Sequence, residues 1–328
     1  MENTDLSFAL YKRPNEDVVH SIVGKAQHTI TPSHRTFVFA PFDSSQLPYY
    51  IPHQSAAIPA IDFLSLPHAG FHSTLHQFFI EGVTNIIAAI QANKFTKIVA
   101  ARIAVVDRKE DFNPKAFFKK LCTQYPDTFV SLVYIHGVGL WLGATPELLL
   151  SYTDDEVSTY SLAATKSSAL DTIWSAKEIE EQAIVTAFIT ERLSPFAAAP
   201  IIEHSPRVLH AGNLRHLLTV LSCQPKMNTT WQDILAALHP TPAVSGMPQT
   251  EAIQYILSQE GFDRKFYTGY LGDIDTNDNA DLYVNLRCVQ VTQQQLLFYA
   301  GCGITVGSHP QQEWAETESK INVLQSLL

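Results

Sequence analysis

Residues 281–300, DLYVNLRCVQVTQQQLLFYA, run on through GCGITVGSHP (301–310) into QQEWAETESK (311–320). The first twenty read as two strands, Asp281–Thr292 and Gln295–Ala300, joined by a polar Gln-rich turn, which is a hairpin signature. Another strand-like run, Phe266–Ile274, comes just before them. Strands in adjacent runs, without strict strand–helix alternation, favour a mixed α+β fold with antiparallel sheet over a doubly wound one. Beyond the hairpin a glycine-rich turn leads into a helix. Ser308 with Gln311 fits a capping box, and Pro310 suits a first helical turn. Glu313, Glu316 and Lys320 fall at i, i+3 and i+7, so they project from one face. Two carboxylates and an ammonium beside free backbone N–H groups can hold a metal ion and an anionic ligand together. A solvated face carrying an intrahelical ion pair fits the same spacing.

Working back toward the N-terminus, helical periodicity marks Ser73–Asn93, where Phe79, Ile80, Val83, Ile86, Ile87 and Ile90 recur. The strand Lys97–Val106 follows, then a helix at Pro114–Gln124 and a strand pair, Phe129–Ile135 with Gly139–Leu142, around a glycine turn. Glu147–Tyr152 reads as a strand, Ser175–Leu193 as a long helix stopped by Ser194-Pro195, and Thr230–Ala237 and Thr250–Gln259 as shorter helices. The first seventy residues carry prolines at 14, 32, 41, 48, 52, 59 and 67 and read as irregular, with Thr36–Ala40 a candidate strand. The expected organisation is a catalytic domain over 73–328 with an elaboration, 1–72, packed on it.

The chain has 328 residues, of which 46% are hydrophobic and 16% charged, so most of it can bury a core. Its net charge of -10 argues against nucleic acid or an anionic membrane as the main partner. An anionic substrate must then be met by local cations or a metal. Cys122, Cys223, Cys288 and Cys302 form no C-x-x-C, which fits buried residues in a reducing compartment. The histidines show no paired zinc spacing. There is no signal-peptide pattern and no apolar run of spanning length, so a soluble, cytoplasmic protein is expected.

Several residues are candidates for chemistry. Lys97 opens a mostly apolar strand, where partial desolvation would suit a general base; a snorkelling strand-end lysine looks the same. Glu147, in Gly143-Ala144-Thr145-Pro146-Glu147, precedes three leucines, and burial there would keep it protonated, as a general acid requires; a turn glutamate facing water is the alternative. In Lys177-Glu178-Ile179-Glu180-Glu181-Gln182 the macrodipole alone could explain the glutamates, but Glu181 borders the buried face through Ile184 and Val185. His216 sits inside an apolar run, where a core histidine is the commoner outcome. Arg287, in a strand, calls for a carboxylate partner from protein or ligand. Gly301-x-Gly303-x-x-x-Gly307 lacks the spacing of a dinucleotide fingerprint.

Taken in order, these segments resemble the chorismate-utilising enzymes: isochorismate, anthranilate, aminodeoxychorismate and salicylate synthases. The resemblance rests on KIVAAR (97–102), GATPELLL (143–150), KEIEEQAIV (177–185), LRHL (214–217) and LHPTPAVSGMP (238–248). It continues through FDRKFYTGYLGDID (262–275), LRC (286–288), AGCGI (300–304) and EWAETESK (313–320). It implies two large antiparallel sheets packed face to face with helices outside, and dependence on Mg²⁺. By position, Glu181 and Glu316 match metal-binding glutamates, with Glu313 acting through water. Lys97 matches the base that activates water and Glu147 the acid that protonates the departing hydroxyl. His216, Tyr267, Arg287 and Lys320 match substrate-contacting positions, and the Gly301–Gly303 backbone approaches the other end of the ligand.

Within the family, Ala243 is the residue isochorismate synthases carry where the anthranilate and salicylate enzymes have threonine. Ser161–Thr165 has alanine where aminodeoxychorismate synthases place a nucleophilic lysine. The resemblance therefore implies isomerisation of chorismate to isochorismate, feeding quinone or siderophore synthesis through an isochorismate-using enzyme. The ammonia-using and lyase members are the alternatives, followed by a degenerate module that binds chorismate-like anions without turnover. Glu178-Ile179, Gln182, Ala164 and Cys302 depart from the usual Asp-Arg, His, Gly and Ala.

Overall fold

The computed structural model describes residues 5–31, 33–68, 70–167, 174–212 and 214–328. Its strands fall into two antiparallel sheets. The eight-stranded sheet runs, in spatial order, Gly246–Met247 (β13), Lys97–Asp107 (β5), Gln295–Ile304 (β17), Cys288–Val291 (β16), Gly139–Thr145 (β7), Phe129–Ile135 (β6), Leu6–Lys12 (β1) and His20–Lys25 (β2). The nine-stranded sheet runs Ile202–Glu203 (β10), Leu214–Cys223 (β12), Val157–Ser167 (β9), Leu148–Tyr152 (β8), Ala280–Val284 (β15), Tyr270–Ile274 (β14), Thr36–Ala40 (β3) and Tyr49–Pro52 (β4), with Arg207–Ala211 (β11) paired to β12.

Strands such as β1, β6 and β7 are buried along their whole length, because both faces of each sheet are covered. Between the sheets, Phe37, Phe39, Phe129, Trp141, Tyr283 and Tyr299 pack in one aromatic-rich cluster, so the layers meet face to face as expected. Helices cover the outside. Pro114–Gln124 (α2) and Pro310–Gln325 (α6) close the eight-stranded sheet with Phe117, Leu121, Ile321 and Leu324. Ala176–Leu193 (α3) and Trp231–Leu238 (α4) close the other with Val185, Ile189, Trp231 and Ile234. His76–Gln91 (α1) and Gln249–Gln259 (α5) lay Val83, Ile86 and Ile256 against Ile98 and Ile304. Each such side chain contributes about 1.5–3 kcal/mol when fully buried.

Three local expectations change. Asp281–Thr292 is two strands: β15 ends at Val284 in one sheet and β16 begins at Cys288 in the other. Asn285-Leu286-Arg287 makes the crossing, with Arg287 held at φ +45° in the left-handed region. Apolar residues flank the crossing on both sides, which hid it. Second, besides the expected strand at Thr36–Ala40 (β3), the proline-rich first fifty-two residues supply β1 and β2 to one sheet and β4 to the other; the prolines punctuate the strands, and only Pro52, closing an edge strand, lies within one. Third, the N-cap of α6 is His309, without a side-chain cap. Ser308 instead accepts a hydrogen bond from the Thr305 N–H at 3.1 Å, tightening the turn before the helix. Pro310 does occupy the first helical turn.

Candidate active site

The chain passes between the sheets at Pro146-Glu147, from β7 to β8, and at Asn285–Arg287, from β15 to β16. The two crossings are hydrogen-bonded together: the Val284 N–H donates to Glu147 O at 3.0 Å and the Ala144 N–H to Arg287 O at 3.1 Å. A strand changing layers opens the sandwich and places a side chain where the gap forms. Glu147 and Arg287 both face that gap, and Glu181, His216, Ala243, Tyr267, Gly301, Gly303 and Lys320 line the same cavity. Nearly all of the candidates, drawn from across the sequence, therefore converge. Lys97 and Glu316 stand one contact behind the wall. Lys97, at the start of β5 and fully buried, lies 2.8 Å from Glu181 Oε1, within ion-pair distance though not aligned for a hydrogen bond. Glu316 holds Lys320 at 2.8 Å, one turn apart on α6. Glu313 is buried on the same helix and does not line the cavity.

Two glycines permit this close packing. A Cβ on Gly303 would sit 2.1 Å from Glu181 Oε1 and 2.9 Å from Lys97 Cε, and one on Gly301 would sit 2.9 Å from the Tyr267 hydroxyl. Gly301 O also accepts a hydrogen bond from Lys320 Nζ at 2.8 Å. Thus β17, α3, β5 and α6 meet at one corner of the cavity.

Burial dominates the electrostatics. Glu147 is 3% exposed, and burial pushes its carboxyl up to about 8, with Lys97 and Lys320 pulling the other way. At neutral pH it is mostly the neutral acid. Arg287 is lowered by burial to about 10, with Tyr125 opposing, and so stays cationic. Its guanidinium lies against His216 Nε2, at the irregular step in β12 next to His216. Burial alone would lower Lys320, but the Glu316 carboxylate beside it holds it above the ordinary lysine value. Burial keeps the Tyr267 hydroxyl protonated. The site therefore offers a neutral acid and several cations, which suits an anionic ligand that must lose a leaving group.

Among the described residues, no three His, Cys, Asp or Glu side chains are grouped to hold a metal ion. Glu181 and Glu316 each face a lysine instead. Their chemistry, carboxylate oxygens bordering an acidic protein's cavity, fits a hard divalent cation. Gln182 holds the wall between β9 and α3: its Nε2 donates to Ser161 O at 2.8 Å and its Oε1 accepts from the Ala163 N–H at 3.1 Å. The side chains of Ala164, Thr165 and Lys177 lie outside the described residues. Cys302 lines the cavity, buried, with its thiol toward Ala100 O. Sequence reasoning missed Thr268, Leu286 and Tyr299 in the lining, since nothing in their spacing marks them.

This two-sheet sandwich is the fold of the chorismate-utilising enzymes. The chain belongs to the chorismate binding enzyme family, whose model matches residues 68–328. It is 34% identical over 194 residues to an isochorismate synthase of Bacillus subtilis, covering 56% of this chain and 49% of that one. It is 30% identical over 256 residues to the salicylate biosynthesis isochorismate synthase of Pseudomonas aeruginosa, covering 75% and 53%. The chain thus spans about half the length of these curated relatives. The menaquinone-specific isochorismate synthase of Escherichia coli shares the fold, with a TM-score of 0.84 at 21% identity over 100% of this chain and 90% of that one.

Proposed function

We propose that this protein is an isochorismate synthase, a Mg²⁺-dependent isomerase that adds water at C2 of chorismate as the C4 hydroxyl leaves. The observation that carries this reading is the neutral, buried Glu147 in the same cavity as Arg287, with Lys97 held on Glu181 at its wall. Lys97 is the base that activates the attacking water. Glu147 gives a proton to the departing hydroxyl, and the ring double bonds shift between the two positions. Protons and atoms balance: one water enters, one leaves, and Lys97 and Glu147 reset by exchange with solvent. Arg287 pairs with a substrate carboxylate, and His216, Tyr267 and Lys320 orient the ring. Mg²⁺, held by Glu181 and Glu316 with Glu313 acting through water, would supply the positive charge that a second carboxylate needs.

Ala243 in the lining leaves room, where a threonine would add a hydroxyl, and this supports water addition over the ammonia-using and lyase reactions. A cytoplasmic setting accords with the four free cysteines. The product would pass to an isochorismate-using enzyme. Incubation with chorismate and Mg²⁺, with products resolved by chromatography, tests the reading. Isochorismate is expected; salicylate alone, anthranilate formed with added ammonia, or binding without turnover would overturn it.

A further inference from the structure

Arg264 touches none of the cavity, yet it is 2% exposed and fully engaged. A guanidinium has five N–H donors, and here each has an acceptor. Nε donates to Glu260 Oε2 at 2.6 Å, and Nη2 donates to Val99 O at 2.8 Å and to Glu260 Oε1. Nη1 donates to Val244 O at 2.8 Å and to Thr268 Oγ1 at 3.3 Å. Glu260 Oε1 also accepts the Ala101 N–H at 2.9 Å. Three of these partners, Val99, Val244 and Thr268, line the cavity. They belong to three different walls: β5, which begins at Lys97; the loop that carries Ala243; and the turn that carries Tyr267.

We propose that the buried Arg264–Glu260 pair is a positioning element that sets these three walls relative to one another, and so aligns Lys97 with the substrate. The two residues are four apart in sequence, Glu260 at the C-terminal cap of α5 and Arg264 in the irregular stretch beyond it. The pair adds a side-chain joint to the backbone ladder that already ties β5 to Gly246–Met247, and fastens both to the turn at Tyr267-Thr268. Val99 and Ala101 bracket the stretch of β5 just after Lys97, so slack at this joint reaches the base within two residues. The turn at Tyr267-Thr268 depends on it as well, since Thr268 sits at φ +62° and its hydroxyl donates to Tyr267 O at 2.6 Å. A misplacement of about 1 Å in a catalytic group is enough to cost on the order of a hundredfold in rate.

The proposal rests on the isochorismate synthase reading, and the experiment separates the two. In the double variant Arg264→Met with Glu260→Gln, both charges are removed together, so neither is left buried alone. Glu260→Gln by itself is the second variant; it keeps an amide oxygen for Arg264 but removes its counter-charge. The control is an ion pair outside the cavity lining, Arg13 with Asp273, 2.7 Å apart, whose carboxylate is buried and whose arginine is partly exposed, changed to Met and Asn. Expected at a temperature well below every melting point is a fall in kcat of at least tenfold for the Arg264–Glu260 variant, with KM for chorismate within twofold. Glu260→Gln should show a severalfold fall of the same kind, and the control pair should lose melting temperature alone. Wild-type kcat in the folded Arg264–Glu260 variant, or in Glu260→Gln should the double variant not fold, overturns the positioning role. So does a kcat loss that merely tracks melting temperature across both pairs. An absence of isochorismate from the wild-type protein overturns the reading of function instead.

Discussion

Glu147 is the residue on which the chemistry can be tested most sharply, because one physical cause, burial, sets both its protonation and its role. Glu147→Gln keeps the shape and removes the proton. General acid–base groups contribute about 10²–10⁴-fold, so kcat should fall by at least about a hundredfold with circular dichroism unchanged. Lys97→Ala should do the same; near-normal turnover in either would sink the assigned role. The pH dependence follows with its sign. Activity needs the protonated acid and should decline as pH rises through about 8. Stability moves the same way. Between the ordinary carboxyl value of 4.5 and the folded value of about 8, the native state holds a proton that the unfolded chain releases. The contribution of Glu147 is therefore full below 4.5 and lost as pH climbs through 8. Glu147→Gln cannot ionise, so its melting temperature relative to wild type should rise between about pH 5 and pH 9. A difference that is flat with pH would mean Glu147 is not buried as a neutral acid.

At the scale of elements, the corner where β17 passes α3 and β5 depends on Gly303. Gly303→Ala places a methyl on the Glu181 carboxylate, the end of a flexible side chain, so the side chain should move and the backbone stay. The Lys97–Glu181 pair would separate. The expected result is a fall in kcat of at least tenfold with a melting temperature within a few degrees, measured by steady-state kinetics and thermal melts. Wild-type kinetics would show that the pair need not form. The elements themselves were legible to different degrees. α1, α2 and α3 showed in the sequence because one apolar stripe packs on one sheet, and β5 and β6 showed as β-branched runs. The change of layers at Asn285–Arg287 did not, because a strand that leaves one core for another shows no break in its apolar pattern. β1 and β2 were obscured because an N-terminal strand is defined by its partner, β6, more than a hundred residues away. The candidate residues could be named from motifs, but their pairing could not. That Lys97 meets Glu181 and Lys320 meets Gly301 is settled by tertiary packing alone.

For the whole molecule, charge is the governing quantity. A net charge of -10 repels a dianion, and the Glu181 and Glu316 carboxylates at the cavity add to that repulsion. Arg287 and Lys320 offset part of it, but Lys97 and Lys320 are already engaged by Glu181 and Glu316. If Mg²⁺ takes those glutamates, Lys320 becomes available to the ligand, and the ion adds two positive charges of its own. Chorismate and Mg²⁺ should therefore bind cooperatively. A coupling of about 1.4–3 kcal/mol, within the usual range for linked sites, corresponds to roughly 10–150-fold. Titration calorimetry should find chorismate binding tighter by that factor in saturating Mg²⁺ than in EDTA, and by linkage Mg²⁺ tighter by the same factor in saturating chorismate. Glu316→Gln should reduce both effects equally. Chorismate affinity that is unchanged by EDTA would show that Lys320 and Arg287 alone carry the anion, and would remove the divalent ion from the substrate-binding scheme.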